Sequence, residues 1–187
     1  MSTLTNTQKV TSVAAAVTAA LAGYTTAQAQ LEEIVVTATK KSESLQDIAG
    51  SVQAITEDTL KKANVIGMED YAKLIPSMSY VNYTPGTGKV YFRGIADDNG
   101  TFISEESSAL YLNEQPITQA GMAADVRMVD VNRIEALAGP QGTLYGSSAQ
   151  SGAIRIITNK PDTSEFSATG DITLKMMDEG ENSYDVS

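Results

Sequence analysis

The spacing of apolar and polar residues changes several times along the 187-residue chain. Val10 to Ala22 is a predominantly apolar, alanine-rich run, with Lys9 before it and the small-x-small triplet Ala27-Gln28-Ala29 after it. That layout is a secretory signal peptide over residues 1–29, cut before Gln30. The run is shorter than the ~18 apolar residues a membrane-spanning helix needs. Next come Ile34, Val35, Val36 and Thr37, all β-branched, with Glu32-Glu33 before them and Lys40-Lys41 after. Branching at Cβ favours extended backbone, yet no hairpin turn lies nearby. Residues 30–50 therefore read as a mobile segment holding one short strand, whose unpaired N–H and C=O groups await a partner.

From Ser51 the pattern becomes that of a compact unit. "SVQAIT" (51–56) is a strand. Thr56 is a suitable N-cap for a helix over "EDTLKKAN", with acids in its first turn and lysines near its end. "GMEDYAKLI" (67–75) places Met68, Tyr71, Ala72 and Ile75 at helical spacing, and Pro76 stops it. Strands are expected at 78–83, 89–95 and 108–113, with an exposed polar loop between the last two. Residues 123–131 read as a further helix, and 132–139 and 151–160 as strands. Strands mixed with short helices predict an α+β domain around one mixed sheet.

The tail differs. Phe166, Ala168, Gly170, Ile172, Leu174 and Met176 alternate with Ser167, Thr169, Asp171, Thr173 and Lys175. An acidic turn follows at 178–182, and Tyr184 and Val186 resume the alternation. This period of two suits a transmembrane barrel strand, apolar toward lipid and polar toward the lumen. It suits an amphipathic strand on a soluble sheet equally well.

Composition removes many functions. The 158 residues after the signal peptide hold all 23 acidic residues and 12 of the 13 basic ones, a formal charge of −11. Nucleic-acid binding, which needs a basic footprint, is excluded as a partner class. Cysteine and histidine are both absent. The fold must hold without disulfides, and histidine-activated nucleophiles and histidine zinc sites are unavailable. "PGTGKVYF" (85–92) lacks the spacing of a phosphate loop and reads as a glycine turn between strands. "GSSAQSG" (146–152) breaks the G-x-S-x-G spacing, so Ser147 and Ser148 are poor nucleophiles. The acids at 97–98, 105–106 and 178–181 lack calcium-loop spacing and read as solvated surface. The sequence points to no enzyme and no cofactor.

The informative run is "NRIEALAGPQGTLYGSSAQSGAIRIITNKP", Asn132 to Pro161, dense in small residues that allow close backbone approach and φ > 0 turns. It resembles the C-terminal signature of the plug domain of TonB-dependent outer-membrane receptors, carried by Gly139, Pro140, Gly142, Tyr145, Gly146 and Gly152. "YFRGI" (91–95), with Arg93 and Gly94, resembles the earlier signature of that family, and "ALYLNEQPI" (109–117) the strand–turn after it. "EEIVVTA" resembles the TonB box, here Glu33, Ile34, Val35, Val36, Thr37 and Ala38. Three features depart from the family pattern: Ala138 replaces an arginine, Ser151 a glycine, and Asn113-Glu114 an Asp-Gly turn.

The resemblance implies a gating and energy-coupling plug for active nutrient uptake, most often of ferric siderophores, with cobalamin and carbohydrates as rivals. It implies an outer-membrane location, a surrounding receptor β-barrel seated through Arg93 and Glu135, and capture of the box by the TonB periplasmic domain. The domains then run 1–29 signal peptide, 30–50 box and linker, 51–161 plug, and 162–187 the first one or two barrel strands. A 22-stranded barrel does not fit into 27 residues, so the chain is expected to be an N-terminal piece of a receptor. The alternative is a stand-alone soluble periplasmic plug-like binding protein. Loops 84–88 and 97–106 are the expected apical ligand contacts.

Overall fold

The computed structural model describes residues 33–97, 105–161 and 163–164, together with positions 166, 168, 170, 172–175 and 183–186. The signal peptide and most of the 97–106 loop lie outside these residues. A mixed five-stranded sheet organises the domain. In chain order its strands are β3 (Val52–Thr56), β6 (Ser108–Leu112), β7 (Gln115–Pro116), β9 (Val131–Ala138) and β10 (Gly152–Thr158), and in space they run β3-β9-β10-β6-β7. Strand β10 pairs parallel to β6 and antiparallel to β9. The remaining neighbours are antiparallel.

Because side chains alternate across a strand, each central strand feeds two cores. Ile55, Leu110, Ile134, Ala136, Ala138, Ile154 and Ile156 face one side and meet Leu60, Met68, Tyr71 and Ile75. Leu60 comes from helix α1 (Glu57–Lys62), and Met68 and Tyr71 from α2 (Met68–Ala72). The antiparallel hairpin β4 (Met78–Thr84) and β5 (Thr87–Phe92) closes this core with Met78, Val90 and Phe92. Its turn contains Gly86 at φ 82°, as the glycine-turn reading expects.

At Gly152 the chain has no room for a side chain. A Cβ there would sit 2.5 Å from the Leu137 carbonyl oxygen and 2.6 Å from the Phe92 ring. Thr56 occupies the N-cap of α1 without bonding an amide; its hydroxyl lies 3.1 Å from that of Thr59 instead.

The helix expected over 123–131 does not form. β8 (Ala123–Ala124) pairs with β5. The Asp125 amide donates to Gly86 O, and its carboxylate accepts from the Met68 amide at 2.6 Å, capping α2. Tertiary partners claim the groups a helix would use, and Val131 is already in β9.

Glu106 also departs from expectation. It is 1% exposed, and neither carboxylate oxygen has a hydrogen-bond partner. Burial raises its pKa, partly offset by Lys89, which is itself buried.

In the tail, β11 (Ile172–Lys175) pairs antiparallel with β12 (Ser183–Val186), so strands form within both expected stretches, while the expected turn at 178–182 lies outside the described residues. Ile172 and Leu174 are exposed on its apolar side. Among the described residues no helix is long and apolar enough to cross a membrane.

Candidate functional site

The second face of the five-stranded sheet carries the site. Strand register sets Ala54, Glu135, Arg155 and Tyr111 side by side across four strands. The adjacent row is Val52, Leu137, Ala153 and Ala109. The two alanines leave a shallow trough, and the charged pair stands beside it.

The N-terminal segment fills this trough. β1 (Val35–Val36) pairs antiparallel with β2 (Glu43–Ser44), and a 3-10 turn follows over Leu45–Asp47. Val36 and Ala38 are fully buried against Ala109, Leu137, Tyr145, Ala149 and Ala153. Full burial of a valine side chain contributes about 1.5–3 kcal/mol. The mobile, unpaired strand expected over 30–50 is therefore corrected for residues 34–48. A trough formed by distant strands and a partner strand eight residues downstream hold it.

Thr37 lies between the two buried residues and points into the charged row. Its amide donates to Glu135 Oε1 at 2.8 Å. Its hydroxyl accepts from Arg155 Nη1 at 2.8 Å and from Arg133 Nη2 at 3.3 Å. Arg155 is 1% exposed and Glu135 0%. Arg155 Nη1 reaches Glu135 Oε2 at 2.5 Å and Nη2 reaches Glu114 Oε1 at 2.5 Å. Arg133 adds a 2.8 Å bond from Nε to Glu135 Oε1. The two guanidinium groups and the Thr37 amide together satisfy the lone pairs of this buried carboxylate.

Tyr145 covers the site from above. It ends the four-residue helix α3 (Gly142–Tyr145), too short to show a helical period in the sequence. Gly139 and Gly146, on either side of this helix, have φ of 108° and 77°, which explains two of the signature glycines. The Tyr145 hydroxyl donates to Ala38 O at 2.5 Å, and the Tyr111 hydroxyl donates to Tyr145 O at 3.0 Å. Burial lifts the Tyr145 pKa to about 12, so it remains a donor at neutral pH. The two rings meet edge to face at 5.2 Å. Lys40 Nζ lies 4.8 Å from the Tyr145 ring centroid and pairs with Glu114 Oε2 at 2.6 Å.

Not every expected site residue joins this cluster. Glu33 is exposed and Ile34 half-buried at the start of the segment. Val35 is 47% exposed. Arg93 and Gly94 form an exposed turn with φ of 52° and 77°. The Arg93 Nη1 atom lies 3.9 Å from where a Cβ on Gly139 would be, so the two signatures meet in space. Glu135 was expected to seat the plug against a barrel. It points inward instead, and its oxygens are taken by Arg133, Arg155 and Thr37. Ala138 is buried in the first core. The Ser151 hydroxyl is satisfied by Ser108 and the Ser107 carbonyl. Ser147 donates to Glu105, with both side chains on the surface.

Arg155, Arg133, Tyr111 and Glu114 were missed as site residues. The available signal was alternation: Arg133 and Glu135 in β9, and Arg155 in β10, are charges at alternate positions of otherwise apolar strands.

Comparison with known proteins gives the same answer along the chain. The model of the TonB-dependent receptor plug domain matches residues 44–153. The pesticin receptor of Yersinia pestis is 31% identical over 152 residues, which is 77% of this chain and 21% of that protein. The vitamin B12 transporter of Vibrio vulnificus is 26% identical over 145 residues, 73% of this chain and 22% of its own length. The ferric yersiniabactin uptake receptor of Yersinia pestis aligns in structure at TM-score 0.53 and 26% identity, covering 67% of this chain and 18% of that one. The ferripyoverdine receptor of the Pseudomonas aeruginosa outer membrane shares the fold at TM-score 0.56 and 18% identity, over 69% and 17%. The chain thus spans about a fifth of the length of these relatives. With a mixed sheet, short helices and matched signatures over most of the domain, the chain belongs to the TonB-dependent receptor plug domain family, a family of receptors and not of enzymes.

Proposed function

We infer that this chain gates and energises an outer-membrane importer, and that residues 33–38 are the handle taken by the TonB periplasmic domain. The observation that carries this reading is the seated segment. A short strand with β-branched residues lies at the N-terminal edge of the plug, held by side-chain contacts and only two strand-pairing positions. A partner that adds a strand gains backbone bonds of about 0.5–1.5 kcal/mol each and reads alternate side chains. Val36 and Ala38 are fully buried here, so such readout requires the segment to leave its trough first. The coupling event is then an exchange of one strand partner for another, and pulling on the released segment would load the β3 edge of the plug.

The remaining assignments rest on the resemblance and the relatives. The chain is exported and sits in the outer membrane within a receptor barrel, seated through exposed Arg93. The strands β11, with Ile172 and Leu174 exposed, and β12 begin that barrel. A ferric siderophore is the favoured ligand, because ferric yersiniabactin and ferripyoverdine are the ligands named for two structural relatives. The chain itself carries out no covalent chemistry.

Pull-down by the TonB periplasmic domain, comparing wild type with Val35→Pro, tests the handle. Proline removes a ladder donor. The expected result is loss of capture in the variant, and equal capture rules out strand addition at this site.

A further inference from the structure

The charged row does more than neutralise itself. Two carboxylates, Glu114 and Glu135, face two guanidinium groups, Arg133 and Arg155. These four charges balance without the N-terminal segment. Departure of the segment therefore leaves no net charge behind in the sheet. What the segment adds is Thr37, which bonds to both Arg155 and Glu135 beside their direct contact, and Lys40, which lands on the far side of Glu114.

Arg155 joins the two ends. One nitrogen holds the Thr37 hydroxyl and buried Glu135; the other holds Glu114, whose side chain is 66% exposed. Glu114 in turn anchors Lys40. Asn113, beside it in the turn, has φ 55°, and its side-chain oxygen accepts from the Thr158 amide, which fixes the turn to the end of β10.

We propose that Arg155 and Glu114 form a catch that keeps the coupling segment seated and sets how readily a partner can take it. The catch rests on the handle reading above for its purpose, but its mechanics do not depend on it. Arg155 positions Thr37, and Glu114 positions Arg155 and Lys40 from the surface. Weakening the exposed end frees the buried end, because the same guanidinium serves both.

The test is amide hydrogen exchange on the full chain, read at Val36, Thr37 and Ala38 and at Ile134 and Ile156 in the central strands. Glu114→Gln and Thr37→Val should speed exchange of the segment amides at least about tenfold, as expected for loss of hydrogen bonds to charged groups. The Ile134 and Ile156 amides should hold their wild-type rates. Arg155→Met should give the largest effect. If it also speeds the central strands, the sheet has loosened, and the other two variants decide. Wild-type rates at Thr37 in both Glu114→Gln and Thr37→Val overturn the catch, as does a Thr37 amide already exchanging freely in wild type. Capture by the TonB periplasmic domain separates the two ideas. A Glu114→Gln chain that exchanges faster yet is captured no better overturns the handle and leaves the catch standing.

Discussion

Replacing Glu135 with glutamine keeps the shape of the side chain and removes its charge. Arg155 is then a buried guanidinium whose remaining carboxylate, Glu114, is largely exposed. Arg133 keeps its contact with Asn132 and partial exposure. Removing one member of a buried ion pair typically costs 3–5 kcal/mol, because the other charge stays desolvated. Glu114 and Arg133 soften that here, so the lower end applies, about 3 kcal/mol. For a urea slope of about 2 kcal/mol per molar, the unfolding midpoint falls by about 1.5 M. The chain has eight tyrosines and no tryptophan, so tyrosine fluorescence with circular dichroism follows the transition. The double variant Glu135→Leu with Arg155→Met should recover most of the loss, since an apolar pair of similar volume is tolerated where a lone charge is not. A loss below about 1 kcal/mol for Glu135→Gln, or single losses that simply add in the double variant, refutes the claim of a coupled buried pair.

Three further outcomes are expected. Gly152→Ala should destabilise the plug by about 1–3 kcal/mol in the same urea assay, because its Cβ meets backbone oxygen and a packed ring. Glu106→Gln should stabilise the fold at neutral pH, because it removes the charge that burial opposes. Burial raises the Glu106 pKa, so the fold prefers its protonated form and loses stability as pH climbs above the ordinary value of 4.5. Urea midpoints across pH should show that decline in wild type and a flatter profile in the variant. Glu114 has the opposite sign: the bond from Lys40, then attraction to Arg155 and Lys40, lowers its pKa against some burial. Its contribution to seating is present above the ordinary carboxylate value and is lost on acidification below it. Exchange at Thr37, corrected for intrinsic rate, should accelerate as the pH falls below the ordinary carboxylate value of 4.5.

The main strands and the first two helices were legible because their side chains alternate or recur with clear periods. "RIEALA" and "GAIRIIT" read as strands, and Tyr71 and Ile75 as core, from spacing alone. What failed was decided by distant partners. Asp125 caps a helix 57 residues earlier and so prevents one of its own. Glu106, in an acidic stretch that reads as surface, is buried, as are Ser107 and Ser108 after it. The seating of Thr37 on Glu135 spans 98 residues, with two-residue strands that no local pattern reveals. The box and the signature were each readable as sequence. That the sheet behind the signature clasps the box was not, although charges at alternate positions of buried strands pointed to it.

The most direct measurement is nuclear magnetic resonance of the labelled chain, following Val36 and Thr37 during titration with the TonB periplasmic domain. A seated and displaceable handle predicts contacts from Val35 and Val36 to Glu43 and Ser44 in the free chain, replaced by intermolecular strand contacts as the partner is added. Retention of the intramolecular contacts at saturating partner, or their absence from the free chain, contradicts it.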